Sequence, residues 1–359
     1  MKAYNTIWKT IKEGGSVALC RSWNKKEGAL SELSTALVSP DSDTCPSVER
    51  PDAGVLTSFQ DLASDATRFG EVAFRENQDS CQMAEPFYPR ERMIVLGGGH
   101  VALPVVRLAS SLGFSVVLVD DRPEFASAER FPTASQVVCD DFIHAIESLN
   151  IRNTDYVVVI TRGHKCDADC LRVLCKDTEP LYLGMMGSSR RVAIVKQRMI
   201  EEGYDAKRLD RMHSPIGLRI GALTPEELAV SILGEIIQVK RIQMGNTNYG
   251  GNSDLDYEVL QILAEEQAVP KAVLTVIKTD GSSPRGAGAK MLVYPDGRIA
   301  GSIGGGTPEA QAIAAARTVI GSGMYQVCHL DMTADGTEGG EEAVCGGVMD
   351  VLIEDYPLE

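Results

Sequence analysis

The stretch Met93–Asp121, M-I-V-L-G-G-G-H-V-A-L-P-V-V-R-L-A-S-S-L-G-F-S-V-V-L-V-D-D, restricts what this chain can fold into more than any other. The apolar run Met93–Leu96 has the length of a buried parallel strand and leads directly into Gly97-x-Gly99-x-x-Ala102. Val101, Val105, Leu108 and Leu112 then recur at helical spacing, Gly113 supplies a stop, and Ser115–Val119 forms a second buried strand ending in Asp120 and Asp121. This is the layout of a dinucleotide-binding turn. The first glycine makes the tight turn, and the second lets a ligand approach the backbone. The small third residue lets helix and strand pack closely. The free N–H groups at the helix start suit a phosphate, and the acid at the end of the second strand suits ribose hydroxyls. The pattern predicts a Rossmann-type unit.

A chain of 359 residues is long enough for two or three domains with their own cores. Its net charge of −15 argues against nucleic acid or an anionic membrane as the main partner. No apolar run approaches the roughly 18 residues that a membrane span needs. The opening M-K-A-Y-N-T-I-W-K-T lacks the apolar core of a signal peptide. With nine scattered cysteines, an odd number, reduced thiols and a cytoplasmic location are expected.

Further along, a third strand is expected near Gln136–Val138, with Asp141 capping a helix over 142–149. Tyr156–Ile160 reads as a central strand, followed by a helix over 167–175 and a strand over 180–183. Thr224-Pro225-Glu226-Glu227 opens a long helix with a capping box. Ligands of such sheets bind beyond the C-terminal strand ends. Here those ends carry Gly97–His100, Asp120–Arg122, Thr161–His164 and Gly187–Arg191, so Gly97, Gly99, His100, Asp120, Asp121, Arg122, Arg162, His164, Ser188 and Arg190 are candidate cofactor-binding residues. Cys166, Cys170 and Cys175 lack partners at zinc spacing, and no metal site is assigned.

The rest of the chain reads as two flanking segments. Residues 1–88 carry an amphipathic helix marked by Tyr4, Ile7, Trp8 and Ile11, strands over 16–20, 33–38 and 71–74, and a helix over 56–69. Residues 245–256 are a Gly/Asn-rich linker. Residues 257–359 begin with a helix and a strand, then present Asp280-Gly-Ser-Ser-Pro-Arg-Gly286, a hairpin around Pro295-Asp296-Gly297, and Gly301-Ser-Ile-Gly-Gly-Gly-Thr307 entering a helix with Thr307 as N-cap. An acidic loop over 333–342 and Cys345-Gly346-Gly347 precede a final strand over 348–353. Short matches such as Ala36-Leu-Val-Ser-Pro-Asp41 with Met291-Leu-Val-Tyr-Pro-Asp296 suggest that the first segment is a degenerate copy of the last, one that lacks the Gly-rich loops. Function is then expected in the last segment. Gly301–Gly306, with Gly304, Gly305 and Gly306 at its end, forms an anion cradle. Ser282, Ser283 and Arg285 can add hydroxyls and a positive charge, and Cys345, held by two glycines, offers a thiol and is the candidate catalytic residue. The expected fold class is α/β, a doubly wound parallel sheet over 89–244 plus a smaller α+β domain over 257–359 and its degenerate copy over 1–88.

G-G-G-H-V-A, V-D-D-R-P-E-F, E-R-F-P, T-R-G-H, M-G-S-S-R-R and S-P-I-G-L-R-I-G-A-L-T-P-E-E-L-A-V-S-I together resemble the Rossmann domain of the XdhC/CoxI family. D-G-S-S-P-R-G-A-G-A-K-M-L-V, G-S-I-G-G-G-T-P-E and C-G-G-V-M-D-V resemble that family's smaller domain. The resemblance implies a cytoplasmic maturation factor that binds the molybdenum cofactor (molybdopterin, as a mono- or dinucleotide form). Such a factor assists sulfuration of the cofactor with a cysteine desulfurase-type sulfurtransferase and delivers it to an apo-molybdenum hydroxylase of the xanthine dehydrogenase type. It implies a binding protein more than an enzyme. Two departures stand out. The intact small domain follows the Rossmann domain, and Thr307 stands where many relatives have Cys or His, which leaves Cys345 as the remaining thiol. The alternative is an NAD(P)-dependent oxidoreductase using the Gly97/Asp120 fingerprint, and homodimerisation stays open.

Overall fold

A computed structural model describes residues 2–25, 27–39, 53–243, 255–266, 269–331 and 346–356. They divide into two compact units, one of residues Met1–Pro89 with Thr247–Glu359 and one of Arg90–Asn246.

The N-terminal segment runs α1 (Lys2–Lys12), β1 (Val17–Asn24), β2 (Gly28–Ala29), β3 (Ser34–Val38), α2 (Ala53–Phe69), β4 (Ala73–Glu76) and β5 (Ser80–Phe87). Tyr4, Ile7 and Ile11 form the buried stripe of α1, as their spacing requires. The strands make an antiparallel sheet in the order β3-β1-β5-β4. The sequence did not suggest β5, because Glu85 and Pro86 interrupt its apolar pattern; Glu85 is nevertheless fully buried.

The middle unit runs β6 (Arg92–Leu96), α3 (Ala102–Ser111), β7 (Ser115–Asp120), β8 (Gln136–Cys139), α4 (Phe142–Ser148), β9 (Tyr156–Val159), α5 (His164–Asp177), β10 (Tyr182–Met185), α6 (Ser189–Glu201), α7 (Ala206–Asp210) and α8 (Pro225–Gln238). Its sheet is parallel throughout, ordered β10-β9-β6-β7-β8. This is the doubly wound Rossmann arrangement, with the direction of winding reversing between β6 and β9. Both faces are covered. Met93 and Val95 pack with α3 and α8, while Ile94 and Leu96 pack with α4, α5 and α6. The expected caps form at Asp141 and Thr224, the latter as a capping box with Glu227. The strand expected over 180–183 lies two residues later.

The C-terminal segment runs α9 (Tyr257–Glu265), β11 (Lys271–Asp280), β12 (Lys290–Val293), β13 (Ile299–Gly301), α10 (Gly306–Val319), β14 (Met324–Asp331) and β15 (Val348–Tyr356). Its sheet is ordered β13-β12-β11-β15-β14-β2, so β2 from the N-terminal segment adds a short edge strand through Met324↔Ala29 and Tyr325↔Gly28. Ile7 and Ile11 of α1 share a core with Leu260 and Leu263 of α9.

Gly97 shows why the phosphate-loop turn needs glycine. Its φ is +114°, and a Cβ there would lie 2.5 Å from the Ile160 carbonyl oxygen. Gly97→Ala is expected to cost about 1–3 kcal/mol, read as a lower urea midpoint in far-ultraviolet circular dichroism. An unchanged midpoint would show that this turn adapts.

Candidate functional site

Three connections meet at one end of the six-stranded sheet. Asp280 at the end of β11 pairs with Val348 at the start of β15, and Gly301 at the end of β13 pairs with Met291 near the start of β12. The loops between these points are therefore neighbours. A Cβ on Gly304 would lie 2.4 Å from Pro284 Cγ. A Cβ on Gly347 would lie 2.5 Å from the Ser282 carbonyl oxygen and 2.7 Å from that of Asp280. Loops 280–286 and 346–347 thus approach backbone to backbone, and loop 301–306 meets loop 280–286 where Gly304 lies against the Pro284 ring. Ser282, Ser283, Arg285, Gly304, Gly305 and Gly306 are brought to one place. Cys345 lies outside the described residues, as does the acidic stretch over 333–342, although Gly346 and Gly347 are in the cluster.

Within the cluster the cradle is already engaged. Glu309 Oε2 accepts from Ile303 N at 3.0 Å, Gly305 N at 3.0 Å and Ser302 Oγ at 2.7 Å, and Gly304 N donates to Ser302 Oγ at 3.1 Å. The expected N-cap, Thr307, is not the cap. α10 starts at Gly306 with Gly305 in the N-cap position, φ +81°, and the Glu309 carboxylate accepts the N–H of that N-cap residue. Ser283 Oγ donates to the Arg285 carbonyl oxygen at 2.8 Å, so it stiffens its own loop. The open positions are Gly305 and Gly346, where a Cβ would meet nothing within 4 Å.

Burial opposes ionisation of Glu309, but the Ser302 hydroxyl and the N–H groups of Gly305 and Ile303 outweigh it and hold its pKa below the ordinary 4.5. A carboxyl whose folded pKa is depressed contributes stability above its unfolded value and loses it as pH falls through the folded one. The cradle is therefore expected to stay closed at neutral pH and loosen only below about 4.5. Amide exchange of Ile303 and Gly305 between pH 7 and pH 3 measures this, and protection that survives to the lowest pH would contradict it.

The second set of candidates lies at the C-terminal edge of the parallel sheet. Gly99 is open, with no atom within 4 Å of where a Cβ would stand, which leaves the approach that a ligand backbone contact needs. His100 is exposed beside it. Gly98 is covered: a Cβ there would lie 2.1 Å from the Phe125 carbonyl oxygen. Asp120, expected to meet ribose hydroxyls, is turned inward and is 1% exposed. Its Oδ2 accepts from Gly98 N at 2.7 Å and Arg122 Nη2 at 3.1 Å, and its Oδ1 accepts from Arg122 Nε at 2.9 Å. Burial pushes its pKa up, but Arg122 and the Gly98 N–H win and lower it. The Arg122 guanidinium also lies 3.7 Å over the Phe125 ring. Asp120 and Arg122 therefore hold the Gly loop and the 122–125 loop together.

Asp121 and Arg162 form a bidentate pair that ties the ends of β7 and β9. Ser188 caps α6 by accepting from Arg191 N, and Arg190 is exposed. His164 begins α5, and its side chain lies outside the described residues. Sequence reasoning missed Asp167. It is buried, accepts from Thr161 Oγ1 and Arg191 Nη2, and is pushed to a raised pKa by burial, which those partners do not offset. Its only sequence signal was an acid in the first turn of a helix that follows a central strand. Among the described residues no helix is long and apolar enough to cross a membrane.

Comparison with known proteins follows the same division. A model described as the XdhC Rossmann domain matches residues 93–236, and one described as the XdhC and CoxI family matches residues 264–331. The chain is 34% identical over 153 residues to the uncharacterized protein YqeB of Escherichia coli K12, covering 42% of this chain and 28% of that protein. It is 31% identical over 153 residues to a probable xanthine dehydrogenase subunit of Bacillus subtilis 168, covering 43% and 44%. It is 24% identical over 155 residues to the molybdenum cofactor insertion chaperone PaoD of Escherichia coli K12, covering 43% and 42%. The matches thus span less than half the length of each of these relatives. Among solved structures, a xanthine dehydrogenase from Bacillus halodurans superposes with a TM-score of 0.52 at 25% identity, covering 66% of this chain and 63% of that one. With one family model over the parallel-sheet unit and another over the segment that bears the 280–286 and 301–306 loops, the chain belongs to the XdhC and CoxI family.

Proposed function

We propose that this chain is a maturation chaperone that binds the molybdenum cofactor and delivers it to an apo-molybdenum hydroxylase of the xanthine dehydrogenase type. A cysteine desulfurase-type sulfurtransferase would supply the cofactor's sulfur while the chaperone holds it. The observation that carries this reading is the convergence of loops 280–286, 301–306 and 346–347 within a domain of the XdhC and CoxI family. The names of two relatives, a probable xanthine dehydrogenase subunit and a cofactor insertion chaperone, support it.

The cofactor is cargo here, and the loops fit an anionic pterin in one respect and resist it in another. Gly305 and Gly346 leave open faces, and Ser282 is exposed beside them. The Glu309 carboxylate, however, occupies two of the cradle's N–H groups. A phosphate enters the cradle only by displacing it, because two anions on the same donors repel. Cys345 follows the acidic stretch and adjoins Gly346 in sequence, which makes it the candidate thiol toward the metal end of the cargo.

The nucleotide reading of the Rossmann unit has one observation in its favour, the open face of Gly99. On that reading the unit takes the nucleotide portion of a dinucleotide cofactor, or NAD(P) for an oxidoreductase. Transfer tests the chaperone. Apo-hydroxylase incubated with isolated cofactor is expected to gain activity faster with this chain present than with an equal mass of an inert carrier protein. Equal activation in both would sink the delivery role.

A further inference from the structure

The two segments of the unit formed by residues 1–89 and 247–359 exchange buried charges. Their sheets share a strand order, β3-β1-β5-β4 and β12-β11-β15-β14, each preceded by a helix and each with a second helix before its outer strand. The registers correspond as well. Glu85 faces Leu19, two residues before Phe87, which faces Val17. Glu354 faces Val273, two residues before Tyr356, which faces Lys271. Two residues beyond Leu19 and Val273 stand Arg21 and Thr275, which pair across to Thr35 and Lys290. Each sheet thus holds one carboxylate, one cation and one threonine at equivalent places, with cation and threonine exchanged between strands.

The ion pairs run between the sheets, in both directions. Arg21 donates to Glu354, and Lys290 Nζ donates to Glu85 Oε2 at 2.9 Å. The Lys290 and Glu85 side chains are 0% exposed, those of Arg21 and Glu354 5% and 11%. In a two-fold dimer every contact of residue i with residue j recurs as j with i. A carboxylate of the first half on a cation of the second, repeated as a cation of the first on a carboxylate of the second, is that relation inside one chain.

We propose that residues 1–89 act as a built-in partner. They fill, on the module of residues 257–356, the face through which such a module would pair with a second copy of itself. The partner this face fits is another small α+β module that presents one buried carboxylate and one buried cation at these places. The built-in copy has traded its site for pairing. Where the second module carries D-G-S-S-P-R-G between its first two long strands, the first supplies β2, which pairs with β14. One loop cluster per chain follows.

Charge complementation in trans tests this on the full chain. Glu85→Lys sets two ammonium groups against each other, and Lys290→Glu sets two carboxylates against each other. Each single variant is expected to lose its internal pairing, with a lower unfolding midpoint than wild type. Mixed or co-expressed, the two are expected to exchange segments. The new ammonium of one variant then meets the new carboxylate of the other, while the unchanged Glu85 and Lys290 meet each other. The mixture should yield a heterodimer of two chains with a midpoint well above either single variant. The double variant Glu85→Lys/Lys290→Glu should return to the wild-type mass and midpoint. Single variants with wild-type midpoints, or a mixture with no heterodimer in native mass spectrometry while the double variant recovers, would overturn the proposal: the first shows no charge-coupled interface, the second an ordinary core pair. A double variant that fails to recover overturns it too.

Discussion

Lys290→Met is expected to destabilise its unit by about 3–5 kcal/mol, the cost of breaking a buried ion pair from one side. Lys290 is fully buried, and its Nζ donates to Glu85 Oε2 at 2.9 Å and to Thr275 Oγ1 at 3.0 Å. Burial drives its pKa down, and Glu85 only partly restores it. Without the lysine, the buried Glu85 carboxylate loses its hydrogen-bonded counter-charge and keeps only the field of Arg21, which donates to Glu354, and its Oε1 already has no hydrogen-bond partner. The companion variant Glu85→Leu/Lys290→Met removes both charges and is expected to fall near wild type or above it. The chain's two tryptophans, Trp8 and Trp23, both lie in this unit, so intrinsic fluorescence in urea reports it selectively. A single variant within about 1 kcal/mol of wild type would mean that water or movement relieves the charge.

Gly347→Val should have the largest effect on binding. Its Cβ would lie 2.5 Å from the Ser282 carbonyl oxygen, and that contact is backbone on backbone. The side chain can be accommodated only by moving loop 346–347 away from loop 280–286. Cofactor affinity is expected to fall about tenfold or more, roughly 1.4 kcal/mol, while the tryptophan-reported midpoint shows the unit still folded. Titration calorimetry with isolated cofactor measures the loss. Unchanged affinity would remove the approach of these loops from the binding account.

The Rossmann unit was legible because its signal is local. Strand, Gly-x-Gly turn, helix, strand and acid follow one another within Met93–Asp121, and the spacing alone sets the order of the elements. The three converging loops were legible as Gly-rich stretches, but their meeting was not, since it depends on the register of β11 with β15 and of β12 with β13. Strand β5 escaped because the hydrogen-bonded counter-charge of its glutamate is Lys290, 205 positions away. α6 escaped because Ser188–Arg191 reads as a loop, although Val192, Val195 and Met199 behind it carry the helical period. The inward turn of Asp120 and the occupation of the cradle by Glu309 are properties of loop conformation. An acid at a strand end and an acid three residues into a helix look the same whether they face a ligand or a neighbouring N–H.

The function proposed for this chain rests on the molybdenum cofactor binding at its C-terminal loop cluster. Equilibrium binding of isolated cofactor to the purified chain, with NAD and NADP titrated in parallel, tests it most directly. Saturable cofactor binding that Gly347→Val weakens is expected. Tight NAD or NADP binding with no cofactor binding would contradict it and turn attention to hydride transfer at the open face of Gly99.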